Sequence, residues 1–242
     1  MFTVLLCVTL ASFAGFAEPQ AARESLVINT FHNPVTFIPI YNTSFVLEEG
    51  NKAIYVDPAA PASFVGLPPA DIILITDAAP AHMDRAAIAK ISTLGTEIIA
   101  PPPVAKMITN AHALKSGEMT NLFGWFITAV PLYTAKRTST TGQQQYEQET
   151  GNGYVLTYGS KSFYISGDTA DAPGIRMLQG IDVAFIRVSD TSAMTAEEAA
   201  AVVKDLHPQV AIPYGDRNLA AFAKPLEHSG IEVKLFNWFP GP

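Results

Sequence analysis

The sequence predicts an α/β protein, a layered αββα sandwich, and three observations carry that prediction. From Leu26 onward the chain is a series of short β runs broken by turn residues. Its later part alternates strand and helix. Between them, Asp71–Thr76 is a near-continuous apolar run, which is how a strand buried on both faces reads. Both halves run from β-rich to helix-containing without a repeat period. A doubly wound dinucleotide fold is the competing architecture, but no Gly-x-Gly-x-x-Gly follows any strand.

The elements follow in order. Leu26–Phe31, Val35–Ile40, Ser44–Leu47 and Ala53–Val56 are β-branched or aromatic runs, with Glu49-Gly50-Asn51-Lys52 as a hairpin turn. Asp57-Pro58 closes this block, and a Pro/Ala-rich loop leads to the buried strand Asp71–Thr76. A helix from Arg85 to Lys90 comes next. Glu97–Ala100 is a strand, and Pro101-Pro102-Pro103 opens a helix over Val104–Asn110, since Pro suits a first turn. Trp125–Leu132 is a strand. Tyr133–Asn152 is polar, rich in Thr and Gln and without a period, and reads as a long loop. Gly153–Tyr158 and Lys161–Ser166 form a hairpin, and Pro173–Leu178 a short helix. Asp182–Val188 is a buried strand. Thr195 with Glu198 three residues on is a capping box for a helix to about Leu206. Val210–Pro213, a helix over Leu219–His228 and Glu232–Phe236 complete the chain.

Charge and composition narrow the function classes. A net charge of -7 with no Lys/Arg run argues against nucleic acid, whose backbone needs a basic face. Phe2–Phe16 is apolar and ends in the small-x-small pattern Gly15-Phe16-Ala17, followed by the polar Glu18–Ser25. Residues 1–22 therefore read as a signal peptide, cut near Ala17 or Ala22, with residues 23–242 as one domain in a secreted or periplasmic protein. The single cysteine, Cys7, falls in that leader, so the mature chain has no thiolate for metal or catalysis. No later stretch reaches the roughly 18 apolar residues of a spanning helix, so no membrane association is expected after cleavage.

Four strand-end loops should gather at one edge: 77–84, 133–152, 167–171 and 214–218. Their pattern is Leu-Ile-Thr-Asp-x-x-x-x-His-x-Asp, then Ile-Ser-Gly-Asp-Thr, then Val-Ala-Ile-Pro-Tyr. With Gly151-Asn152-Gly153-Tyr154 and Ile181-Asp182-Val183-Ala184, it resembles the metallo-β-lactamase fold superfamily. The chain is most similar to the lactonase-like metal-dependent hydrolases in that superfamily, over roughly residues 26–239.

The resemblance implies a two-metal hydrolase centre. Its first motif, His-x-His-x-Asp-His with Asp allowed at the first place, falls on Asp77, Ala79, Ala81 and His82. Its next histidine falls on Tyr146, beside Glu147. The bridging carboxylate is Asp168. The last histidine, after Ile-Pro-Tyr, falls on Gly215, beside Asp216. Of these seven positions, Ala79, Ala81, Tyr146 and Gly215 hold residues that cannot serve as the family needs, and Asp77, His82 and Asp168 remain. Divided between two metal positions, three residues leave neither with a full set, and Ala81 replaces the carboxylate that steers the water.

On this ligand arithmetic the chain reads as a non-catalytic pseudoenzyme with a degenerate metal site and no cofactor. It would bind a small molecule or a protein partner at the former active-site edge. The alternative is a residual hydrolase for a lactone, ester or phosphoester, holding one zinc, manganese or magnesium ion through Asp77, His82 and Asp168 with help from Glu147, Asp216 or Tyr146. Clustered carboxylates without metal would repel one another, and Arg187, at the end of a strand reaching the same edge, is the expected charge partner of Asp168.

Overall fold

Two seven-stranded mixed sheets face each other in the computed structural model, which describes residues 23–137 and 144–240. The expected leader, with Cys7, lies outside the described residues. In the first half, β1 (Leu26–Ile28), β2 (Val35–Tyr41), β3 (Ser44–Glu49) and β4 (Lys52–Val56) form an antiparallel meander. Three parallel strands then extend the sheet: β5 (Ile72–Leu74), β6 (Glu97–Ala100) and β7 (Ala111–Ala113). Helices α1 (Arg85–Ile91) and α2 (Pro102–Ala105) lie in the connections.

The second half repeats the plan. Strands β8 (Met119–Leu122), β9 (Trp125–Arg137), β10 (Gln144–Tyr158) and β11 (Lys161–Ile165) form an antiparallel meander. After α3 (Pro173–Arg176) come β12 (Val183–Arg187), α4 (Ala196–Leu206), β13 (Val210–Tyr214), α5 (Ala220–Ala223) and β14 (Glu232–Val233), whose strands pair in parallel. The αββα sandwich expected from the sequence is the architecture found, and the matching halves set the carboxyl ends of β4, β5, β11, β12 and β13 along one edge.

Aromatic side chains fill the space between the sheets. Phe45 of β3 stacks on Phe185 of β12 at 4.9 Å, and Phe37 of β2 contacts both rings. Each such side chain, removed from water, contributes roughly 1.5–3 kcal/mol. A second apolar cluster, including Tyr55, Ile73, Ile88 and Ile91, seats α1 on the outer face of the first sheet. On the second sheet α4 packs against β12, α3 and α5. Its capping box forms as read: Thr195 Oγ1 accepts from Glu198 N, and Glu198 accepts from Thr195 N.

Three readings of secondary structure need correction. Of the expected loop Tyr133–Asn152, the described parts 133–137 and 144–152 are instead the paired outer arms of β9 and β10, in register from Tyr133↔Gln148 to Arg137↔Gln144, and 138–143 lie outside the described residues. A ribbon polar on both faces carries no apolar period, so its pattern is silent. The helix expected over Val104–Asn110 stops at Ala105, and the chain goes on into β7, where His112 pairs with Glu97 at 2.9 Å. The helix over Leu219–His228 is split into α5 and a 3-10 turn at Lys224–Leu226, because Pro225 supplies no backbone donor to continue it.

Candidate metal centre

The centre is assembled where the first sheet's β4 and β5 end against the second sheet's β10 and β11. Three bonds tie the two sheets together there. Tyr154 Oη donates to the Ile75 carbonyl (2.7 Å), Asn152 N donates to the Thr76 carbonyl (2.8 Å), and Asn152 Nδ2 donates to the Leu114 carbonyl (2.7 Å). The register of β10 shifts between Gln148 and Asn152, and Gly151 sits in that irregularity. A Cβ on Gly151 would stand 2.8 Å from the Thr76 carbonyl oxygen, so only glycine admits so close an approach.

From this edge the loop after β5 carries Asp77 and His82. Asp77 Oδ1 accepts from Ala79 N (2.6 Å), closing a short turn. Thr43 Oγ1 donates to the Ala81 carbonyl, and Asp84 caps α1 through Ala87 N. His82 is fully buried, and its ring is fixed from behind. Nδ1 lies 2.7 Å from Asp57 Oδ2 and 3.1 Å from Thr76 Oγ1. Asp57 is itself fully buried and also accepts from Thr76 N and Thr76 Oγ1, each at 2.8 Å. Nδ1–H donating to Asp57 leaves the other ring nitrogen to face the centre, the arrangement that orients metal-binding histidines.

That nitrogen, Nε2, lies 3.2 Å from Asp168 Oδ1 and 3.7 Å from Asp77 Oδ2. It is buried and meets no partner in regular hydrogen-bond geometry, the Asp168 carboxylate being a close charged neighbour. One ligand atom each from Asp77, His82 and Asp168 falls within a 4.8 Å cluster. A buried imidazole nitrogen without a bond, facing two carboxylates, fits a divalent cation: three protein donors of nitrogen and oxygen on one side of an open cleft. The cleft measures about 250 Å³ and is lined by Asp77, Leu132, Thr134, Gly151, Asp168 and Ser192. A larger hollow of about 570 Å³ beside Ser92, Leu94 and Met107 holds none of these groups, so chemistry and not size marks the site.

Electrostatics follow the same geometry. Burial, aided by Asp57 and Asp168, pushes Asp77 up to about 6 despite His82 and the Ala79 N–H. Burial works against a charged His82, but Asp57 and Asp168 outweigh it and hold the imidazole well above its ordinary value. Burial likewise opposes ionisation of Asp168, yet His82 and Arg187 hold that carboxyl below the usual carboxylate range. Arg187 Nε donates to Asp168 Oδ1 at 3.0 Å.

Of the other residues singled out, Asp216 turns to its own loop, accepting from Asn218 N at 2.8 Å, and does not join the cluster. Tyr146 and Glu147 stand on β10 opposite Ala135 and Thr134, and their side chains lie outside the described residues. Asp57 is the residue that sequence reasoning missed. Its only signal was an Asp-Pro ending a β run, indistinguishable from an ordinary turn.

Fold and site together define a metallo-β-lactamase-type sandwich with a candidate divalent-metal centre at the sheet edge. Residues 40–215 match the model of the beta-lactamase superfamily domain, and the chain belongs to that family. It is 32% identical over 167 residues to a UPF0173 metal-dependent hydrolase of Enterococcus faecalis, covering 65% of this chain and 72% of that one. A UPF0173 protein of Pyrococcus furiosus is 28% identical over 78% of this chain and 89% of its own length. A Parabacteroides distasonis structure, provisionally designated a metal-dependent hydrolase, superposes with a TM-score of 0.81 at 31% identity, covering 90% of this chain and all of the other.

These relatives and the observed cluster overturn the pseudoenzyme reading, with its degenerate site and absent cofactor. The error lay in dividing Asp77, His82 and Asp168 between two metal positions. Their ligand atoms lie together, within 4.8 Å of one another.

Proposed function

We propose that the protein is a metal-dependent hydrolase that holds one divalent ion through Asp77, His82 and Asp168 and acts on a small lactone, ester or phosphoester. The observation that carries this reading is the buried, unbonded His82 Nε2, fixed from behind by Asp57 and facing two carboxylates. The relatives named as metal-dependent hydrolases support it. The mixed set of two carboxylates and one imidazole suits zinc, manganese or magnesium. When bound, the ion would lower the pKa of a water and polarise the scissile carbonyl or phosphoryl oxygen.

The chain's own residues supply position and exclusion. Asp57 sets the imidazole tautomer and its direction. Ala79 N holds Asp77, so that carboxylate meets the centre already oriented, and the Arg187 guanidinium lies against Asp168. Leu132 and the tight β10 crossing at Gly151 wall the cleft on the second-sheet side. A scissile group would enter from the open face, beside Thr134 and Ser192. We also place the protein outside the cytoplasm, on the leader-like segment at residues 1–22.

The test is hydrolysis of one lactone, one carboxylic ester and one phosphodiester by chelator-treated protein, before and after zinc, manganese or magnesium is restored. Turnover of at least one class should appear only with metal and vanish in His82→Ala. Turnover indifferent to chelation, or none on any class with any ion, would overturn the reading.

A further inference from the structure

Arg187 ends β12 and is 6% exposed. Its side chain runs into the space beside Gly215, the residue after β13 where the family resemblance places a histidine ligand. A Cβ on Gly215 would stand 1.6 Å from Arg187 Nη1 and 2.3 Å from Cζ. The guanidinium thus occupies the volume that any side chain at that position would need. Two bonds lock it there: Nε to Asp168 Oδ1 (3.0 Å) and Nη1 to the Val188 carbonyl (2.9 Å). Gly215 itself has φ +88, a conformation that other residues rarely adopt.

We propose that the Arg187 guanidinium is the second cation of this centre, so that the protein takes one divalent ion and not two. This rests on the one-ion reading above. The charge balance supports it: Asp57, Asp77 and Asp168 bring three carboxylates to a largely buried cluster. One guanidinium and one divalent ion neutralise them, with the imidazole neutral once metal binds. A second divalent ion would leave an uncompensated double positive charge in a poorly solvated site. At the positions where the family resemblance places further ligands, Ala79, Ala81 and Gly215 offer no side-chain donor. A guanidinium stays charged at any working pH, so this cation cannot be removed by chelation or by titration.

The experiment counts metal. Metal-depleted full-length protein is titrated with zinc and with manganese by calorimetry, and bound ions are counted by native mass spectrometry. Wild type should bind one equivalent. Arg187→Ala should bind its ion about tenfold more tightly, because a like charge beside the ion is gone. Arg187→Lys, which keeps the charge, should stay near wild type. An arginine that merely braced Asp168 would give the opposite sign, with Arg187→Ala binding more weakly. Two equivalents in wild type, or unchanged or weaker binding in Arg187→Ala, would overturn the proposal while leaving the hydrolase reading standing. No binding by wild type would sink the hydrolase reading and this inference with it. Should the alanine variant not fold, Arg187→Gln, which removes the charge and keeps most of the volume, must show the same tighter binding, and unchanged or weaker binding by it overturns the proposal.

Discussion

Asp57→Ala should destabilise the protein by about 3–5 kcal/mol, the range for removing one partner from a buried charged pair. The carboxylate has no exposed surface and receives Thr76 N, Thr76 Oγ1 and His82 Nδ1 at 2.7–2.8 Å. Removing it strands all three donors in a space that water does not reach. Asp57→Asn keeps the shape but offers a hydrogen-bearing nitrogen where one of those donors points. The imidazole then loses its fixed tautomer, and metal affinity should fall by roughly 10–100-fold, as for other partners that orient a metal-binding histidine. Chemical denaturation of both variants, with calorimetric metal titration of Asp57→Asn, checks the pair. Wild-type metal affinity in Asp57→Asn would show that His82 does not depend on Asp57.

Metal affinity should also depend steeply on pH, with a sign set by the shifted groups. Protons compete with the ion wherever a ligand is protonated in the metal-free protein. His82 is held well above its ordinary 6.5 and Asp77 is pushed up to about 6. Affinity should therefore fall about tenfold per pH unit below the His82 value, and about a hundredfold per unit below pH 6, where Asp77 also takes a proton.

The stability of the metal-free form moves the other way. Folded Asp77 and His82 both bind protons more tightly than the unfolded chain does, since their ordinary values are 3.8 and 6.5. Their contribution is present at low pH. It is lost as pH rises from 3.8 to about 6 for Asp77, and through the raised value for His82. Asp168, held below 3.8, contributes in the opposite sense, and its share is lost only as pH falls through its lowered value. Thermal unfolding of wild type and Asp77→Asn in chelator between pH 4 and pH 8 isolates the Asp77 share. Wild type should lose ground relative to the variant as pH rises toward 6. A constant difference would contradict the assignment.

Much of the fold was legible because its strands are apolar runs punctuated by Gly, Pro and Asn, and because the Thr195 capping box is a local code. The outer arms of β9 and β10 were not, since a two-sided polar ribbon leaves no period to read. Within the site, Asp77, His82 and Asp168 could be named from their motif positions. Asp57 could not, because its partners Thr76 and His82 lie 19 and 25 residues further on and meet it only when β4 and β5 pair. Counting ligands along the chain also misled. A count says which donors are missing but not that the remaining three converge, nor that the vacated place at Gly215 is filled by Arg187 from a neighbouring strand.

The most direct measurement is the metal content of purified, chelator-stripped protein after addition of zinc or manganese, for wild type and His82→Ala side by side. Wild type should take up the ion stoichiometrically, and His82→Ala should lose it while its circular dichroism shows the sandwich intact. Stoichiometric metal retained by folded His82→Ala, or no metal on wild type, would contradict a centre built on Asp77, His82 and Asp168.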